Sequence, residues 1–97
     1  MASLFLRDAA RADLVEAFRW YEGRRSGLGY EFTSSVRSTL RAVEQNPEQY
    51  PIAADDIRKA PLRRFPYVVY YVILGADVSV IAVLHARRHP RRWKERR

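Results

Sequence analysis

The chain contains no cysteine. That excludes a disulfide framework, a thiolate zinc site and a cysteine nucleophile together. Long hydrophobic runs are missing too: the longest, Val68 to Leu74, falls far short of the ~20 residues a membrane-spanning helix needs. The opening Met1-Ala2-Ser3-Leu4-Phe5-Leu6 lacks the basic start and apolar core of a secretory signal. The expectation is a cytoplasmic protein without a membrane partner. Lysine is nearly absent, because only Lys59 and Lys94 are lysines among 18 cationic residues. Arginine stays protonated, so almost all of the cationic complement can hold carboxylate or phosphate but cannot act as a general base. Glycine is sparse, at 4 residues, and they form no phosphate-cradling loop.

What is present is charge of one sign, unevenly placed. The formal net charge is +7. Residues 1–57 carry 7 Arg against 9 acids, a net of −2, whereas residues 58–97 carry 11 cations against 2 acids, a net of +9. Solvated surface charge accounts for a modest excess but not for that gradient. It points to a polyanionic partner, either nucleic acid or an acidic protein segment. With 97 residues, 47% of them hydrophobic, the chain suits one compact core, so residues 1–97 are expected to form a single domain.

The hydrophobic period changes along the chain. Ser3–Leu6 reads as a short strand. Asp8 can open a helix of about residues 8–22, with Ala10, Leu14, Ala17, Phe18 and Tyr21 at helical spacing and Gly23 breaking it. A second helix, about 29–46, carries Phe32, Val36, Leu40 and Val43 on one stripe and stops at Asn46-Pro47. The Gly-rich turn between them predicts an antiparallel helical hairpin. A loop then runs to Asp55-Asp56. Strands are expected at Ile57–Arg64, with Pro61 marking an edge or bulge, at Tyr67–Leu74 and at Val78–Arg87. The order β-α-α-β-β-β is an α+β fold, a helical hairpin on a small, mostly antiparallel sheet. A basic tail, about 89–97, follows.

Several short strings share this layout with a known group. They are Ala10 with Asp13-Leu14, Trp20-Tyr21, Gly27-Leu28-Gly29 with Phe32, Pro47 and Tyr50-Pro51, Arg58, Arg64-Phe65-Pro66-Tyr67 with Tyr70-Tyr71, and Val83, His85, Arg87-Arg88, Pro90 and Trp93. In their order and spacing the chain resembles the RelE/ParE superfamily of type II toxins, and within it the ParE-like plasmid-stabilisation group. The resemblance implies a toxin held silent by a cognate antitoxin. It also implies one of two targets: DNA gyrase for ParE-like members, or the ribosome and its mRNA for RelE-like endonucleases.

The nuclease alternative needs an acid, a base and cations around a phosphorane. His85 is the candidate acid or base, and Arg58, Arg64 and Arg87 are the candidate cations, expected to converge on the exposed side of the sheet. Period-2 alternation puts Val83, His85 and Arg87 on one strand face. RelE-type enzymes are expected to use a lysine pair and a late tyrosine. Here Lys59 is the only lysine in the strand region, and no tyrosine follows Tyr71. Those departures favour the non-nuclease branch, with His85 as a structural histidine. His85 and His89 lack a carboxylate cluster, so no metal and no cofactor are expected.

The partner expected from the resemblance is an acidic antitoxin segment that folds on contact. Its apolar residues should meet Trp20, Leu28 and Phe32, and its carboxylates Arg24, Arg25 and Arg64. The target is expected to meet Arg87, Arg88, Arg91, Arg92 and Trp93, where basic residues surround an aromatic ring. A basic module that binds its partner without toxicity is the third reading.

Overall fold

The computed structural model describes residues 3–97. Strand β1 (Ser3–Leu6) leads into helix α1 (Asp8–Arg24) and helix α2 (Leu28–Gln45). Strands β2 (Ile52–Ala54), β3 (Ile57–Pro61), β4 (Tyr67–Leu74) and β5 (Asp77–His85) follow. The strands form one sheet in the order β1-β5-β4-β3-β2, antiparallel except that β1 runs parallel to β5. The expected α+β layout with a helical hairpin on the sheet is present.

Two glycines and one carboxylate shape the hairpin. Gly27 adopts φ 91°, in the left-handed region that glycine enters at little cost. A Cβ on Gly29 would lie 2.9 Å from both the ring and the carbonyl oxygen of Phe18, so the helices approach here only because that atom is missing. Glu22 of α1 then accepts the N–H groups of Gly27 and Gly29, each at 2.9 Å. A carboxylate from one helix thereby satisfies the unpaired amide groups and positive dipole end of the next.

The sheet has two buried faces. On the helical side Ala10, Ala17, Tyr21, Phe32, Val36 and Val43 meet Tyr67, Val69, Tyr71, Val80 and Val83. Four rings concentrate there: Tyr21 lies 5.2 Å from Phe32, 4.9 Å from Phe65 and 5.9 Å from Tyr67, centroid to centroid. On the opposite side Ile57, Val68, Tyr70, Val72, Ile81 and Leu84 form a second cluster, closed by Trp93. Burial on both faces explains why β4 reads as an unbroken apolar run rather than an alternating one.

Several expected boundaries are corrected. The loop after α2 contains β2, which is too short to show a period. Gly23 does not break α1, which continues to Arg24. Strand β3 stops at Pro61 rather than Arg64. Lys59 donates its N–H outward to Pro51, so the nitrogen of Pro61, two residues on, also faces the outer edge, where its missing proton costs no ladder bond. Strand β5 ends at His85, which leaves Arg87 outside the alternation. A bulge also intervenes, because Tyr70 faces Ala82 while Tyr71 faces Val80, with Ile81 as the extra residue. The helical side therefore takes Val78 and Val80 before the bulge and Val83 after it.

The tail is folded. Arg92–Arg96 makes a short 3-10 turn, and Trp93, 7% exposed, stacks on Tyr70 with centroids 4.7 Å apart. Strand β1 leaves β5 at Val80, which opens the edge of β5 beyond it. There Asp13 of α1 accepts the N–H of Val83 at 2.9 Å, while Arg96 donates to the carbonyl of Ile81 at 3.3 Å. Arg96 also pairs with Asp13, Nη2 to Oδ1 at 3.1 Å. The two side chains stand in for the next stretch of strand.

Candidate interaction surface

His85 ends β5 with its Nδ1 accepting the N–H groups of Arg87 at 3.1 Å and Arg88 at 3.3 Å. An acceptor at Nδ1 puts the ring proton on Nε2, so the imidazole is neutral here. Desolvation pulls its pKa below the ordinary value, and Arg88, His89 and Arg87 push the same way. The ring also meets the edge of Tyr67, at 5.4 Å. This histidine caps a turn.

The turn carries Arg88 back over the helical hairpin. Its Nη2 donates to the Tyr67 hydroxyl at 3.3 Å, and its guanidinium lies 5.3 Å from the Trp20 ring. Arg24 lies over the same indole at 4.3 Å. Trp20 is 41% exposed, so one aromatic plate at the end of α1 gathers two guanidiniums and stays open to solvent. Trp20 and Arg24, expected to meet one partner, therefore share a surface with Arg88, expected to meet another. Burial raises the pKa of Tyr67, with Arg88 opposing the shift, and burial likewise raises that of Tyr21.

The other expected residues are placed elsewhere. Arg58 donates to the carbonyls of Glu48 at 3.2 Å and Tyr50 at 2.7 Å, tying β3 to the loop before it. Arg64 and Arg25 both pair with Glu31 of α2, each at 3.2 Å. Arg58 sits in register with Tyr71, while His85 pairs with Tyr67, four residues away along β4, about 13 Å at strand rise. Arg58, Arg64 and Arg87, expected to converge on one exposed face, are each engaged differently: Arg58 by loop carbonyls, Arg64 by Glu31 of α2, and Arg87 through its backbone N–H in the turn after β5.

Two of the expected contact residues are interior. Phe32 is fully buried among Tyr21, Phe65 and Tyr67, and the Trp93 ring is spent on Tyr70. Neither ring is presented to a partner. Leu28 is half-buried, and Arg87, Arg91 and Arg92 are exposed.

Between α2 and the end of β3 an open groove of about 680 Å³ runs past Ser34, Ser35, Ser38, Tyr50, Arg63 and Arg64. Among the described residues no cluster of His, Asp and Glu has the makings of a metal site. Among the same residues no helix is long and apolar enough to cross a membrane. Sequence reading missed Arg96 and the clamp role of Asp13. In the sequence Asp13 is marked by a short string and by its place in the early turns of the first helix, where a carboxylate suits the dipole, and nothing distinguishes Arg96 from its neighbours until the open edge of β5 is known.

Fold and surface together define a small, basic α+β protein that presents an aromatic and arginine-lined exterior rather than an enclosed cleft. The chain belongs to the ParE toxin family: residues 4–90 match the ParE toxin of the type II toxin–antitoxin system, parDE. A solved structure described as a chromosomal ParDE TA system from P. aeruginosa aligns with a TM-score of 0.79. That alignment covers 88% of this chain and 96% of the other at 18% identity, a likeness of fold. No curated protein sequence matches.

Proposed function

We propose that this chain is a toxin that poisons DNA gyrase by binding and is silenced by a cognate antitoxin. The observation that carries the reading is the dispersal of the groups a nuclease would need. The Nδ1 lone pair of His85 is committed to two backbone N–H groups, and Arg58 is bonded to two carbonyls. The phenols of Tyr67, Tyr70 and Tyr71 are all raised in pKa by burial, which makes them poorer proton donors at neutral pH. What lies together instead is a surface suited to association: Trp20 flanked by Arg24 and Arg88.

An antitoxin segment with an acidic, fold-on-binding character fits the hairpin end of this surface. Trp20 and Leu28 would supply apolar contact, and Arg24, Arg25 and Arg64 the charge. Glu31 already neutralises part of that charge, so an incoming carboxylate joins or displaces an existing pair. The family supports this partner, and one solved structure that shares the fold is described as a ParDE system.

Induced expression in bacteria tests the target. A DNA-damage response with filamentation supports gyrase. Rapid loss of protein synthesis with cleaved mRNA supports the ribosome and overturns the reading.

A further inference from the structure

Between two anchors, the turn after β5 and the tail carry cations that the fold leaves unneutralised. The first anchor is His85, which fixes the N–H groups of Arg87 and Arg88. The second is composite. Trp93 stacks on Tyr70 and donates its indole N–H to the Pro90 carbonyl at 3.1 Å. Arg96 is held by Asp13, and its carbonyl accepts from Arg7 at 2.9 Å. Arg97 pairs with Asp56, Nε to Oδ1 at 2.7 Å.

Arg87, Arg88, Arg91 and Arg92 lie between these anchors, and among the described residues none has a carboxylate at ion-pair distance. Arg24 joins them across Trp20. Gathering like charges on an ordered segment is uphill, and a free end would relieve the repulsion by spreading. Here the end is pinned. Behind desolvation, the larger cause, Arg88, His89 and Arg87 each disfavour a charge on His85. The segment lies at and beyond the end of the family match, which reaches residue 90.

We propose that Arg87, Arg88, Arg91 and Arg92 form a preorganised ridge that binds the phosphodiester backbone of nucleic acid directly, with Asp13 and Arg96 as positioning residues. Phosphate contact is the chemistry that suits the ridge, because a protein interface needs an apolar centre. Arg88 borders the exposed Trp20 ring, but around Arg87, Arg91 and Arg92 the stretch itself offers no apolar residue besides Ala86 and Pro90. Phosphate contacts need no such centre and release counterions. The inference stands apart from the gyrase reading, since it concerns nucleic acid bound without any second protein.

The test is fluorescence anisotropy of the full chain against a labelled ~20-base-pair duplex and a single-stranded RNA of equal length, across salt. About four phosphate contacts give a slope of log affinity against log salt near −3.6 on duplex DNA. Affinity should then fall about 150-fold between about 50 and about 200 mM salt. The pair Arg91→Gln with Arg92→Gln should remove about two units of that slope. The pair Arg37→Gln with Arg41→Gln, on the exposed side of α2, makes the same charge change and should barely alter it. Asp13→Asn adds positive charge yet should weaken binding several-fold by freeing the anchor. Tighter binding to duplex assigns the ridge to DNA and tighter binding to the strand assigns it to RNA; both uphold phosphate recognition. Equal losses from the two arginine pairs would overturn the proposal, leaving net charge as the whole effect. So would displacement of the nucleic acid by polyglutamate at matched charge, which would make the ridge a site for acidic polypeptide.

Discussion

Asp13, early in α1, and Arg96, next to the last residue, close the edge of β5 between them. The carboxylate takes the N–H of Val83 and the guanidinium takes the carbonyl of Ile81, where strand β1 no longer reaches. Their side chains are 8% and 19% exposed, so the pair sits largely out of water.

Removing one member of such a pair leaves the other charged and unpaired. Asp13→Ala should therefore cost about 3 kcal/mol, with Arg96→Ala nearer 2 because more of its head reaches solvent. The double variant should cost clearly less than the sum of the two. Urea denaturation of all four proteins measures the coupling. Strict additivity would mean that the two side chains act separately.

Tyr71 should set the alkaline limit of stability. Its hydroxyl donates to the Pro47 carbonyl, and burial pushes its pKa up to about 12. The unfolded phenol ionises near ~10, so the stabilisation is complete below that pH and lost as pH rises toward about 12. Tyr71→Phe should lower stability at neutral pH and flatten the alkaline decline. An unchanged alkaline limb would assign it to another group.

His85 acts in the opposite direction. Its folded pKa is lowered, so the unfolded chain takes up a proton first and stability should fall as pH drops below ~6.5. His85→Gln should weaken that acid dependence and keep toxicity. A folded glutamine variant that has lost both toxicity and RNA cleavage would restore the nuclease.

Two glycines make a controlled contrast. Gly29→Ala drives a methyl against the carbonyl of Phe18 and should cost about 1–3 kcal/mol despite the helical gain. Gly23→Ala meets nothing within 4 Å and should stabilise α1 by about 0.5 kcal/mol. Similar values for the two would mean that the helices do not approach at Gly29.

The hairpin and the central strands were legible because their signals are local. Phe32, Val36, Leu40 and Val43 mark one helical stripe, and Val68 to Leu74 is too apolar for anything but a strand buried on both faces. β2 escaped because Ile52–Ala54 is three residues long, closed by a turn with Asp55 at φ 52°. The placement of Arg87 beside His85 failed because β5 ends first. The tail misled in one respect: a tryptophan set among arginines reads as a ring offered to a partner. Trp93, Arg96 and Arg97 instead spend their side chains on Tyr70, Asp13 and Asp56, partners 23, 83 and 41 positions away. Such contacts exist only once the sheet has formed.

The central claim is action on gyrase by binding rather than by RNA cleavage. Purified protein should be incubated with gyrase, ATP and supercoiled plasmid, then denatured and digested, with a parallel reaction containing translating ribosomes and labelled mRNA. Accumulation of protein-linked linear DNA, with the mRNA intact, is the predicted result. Intact plasmid beside cleaved mRNA would contradict the account.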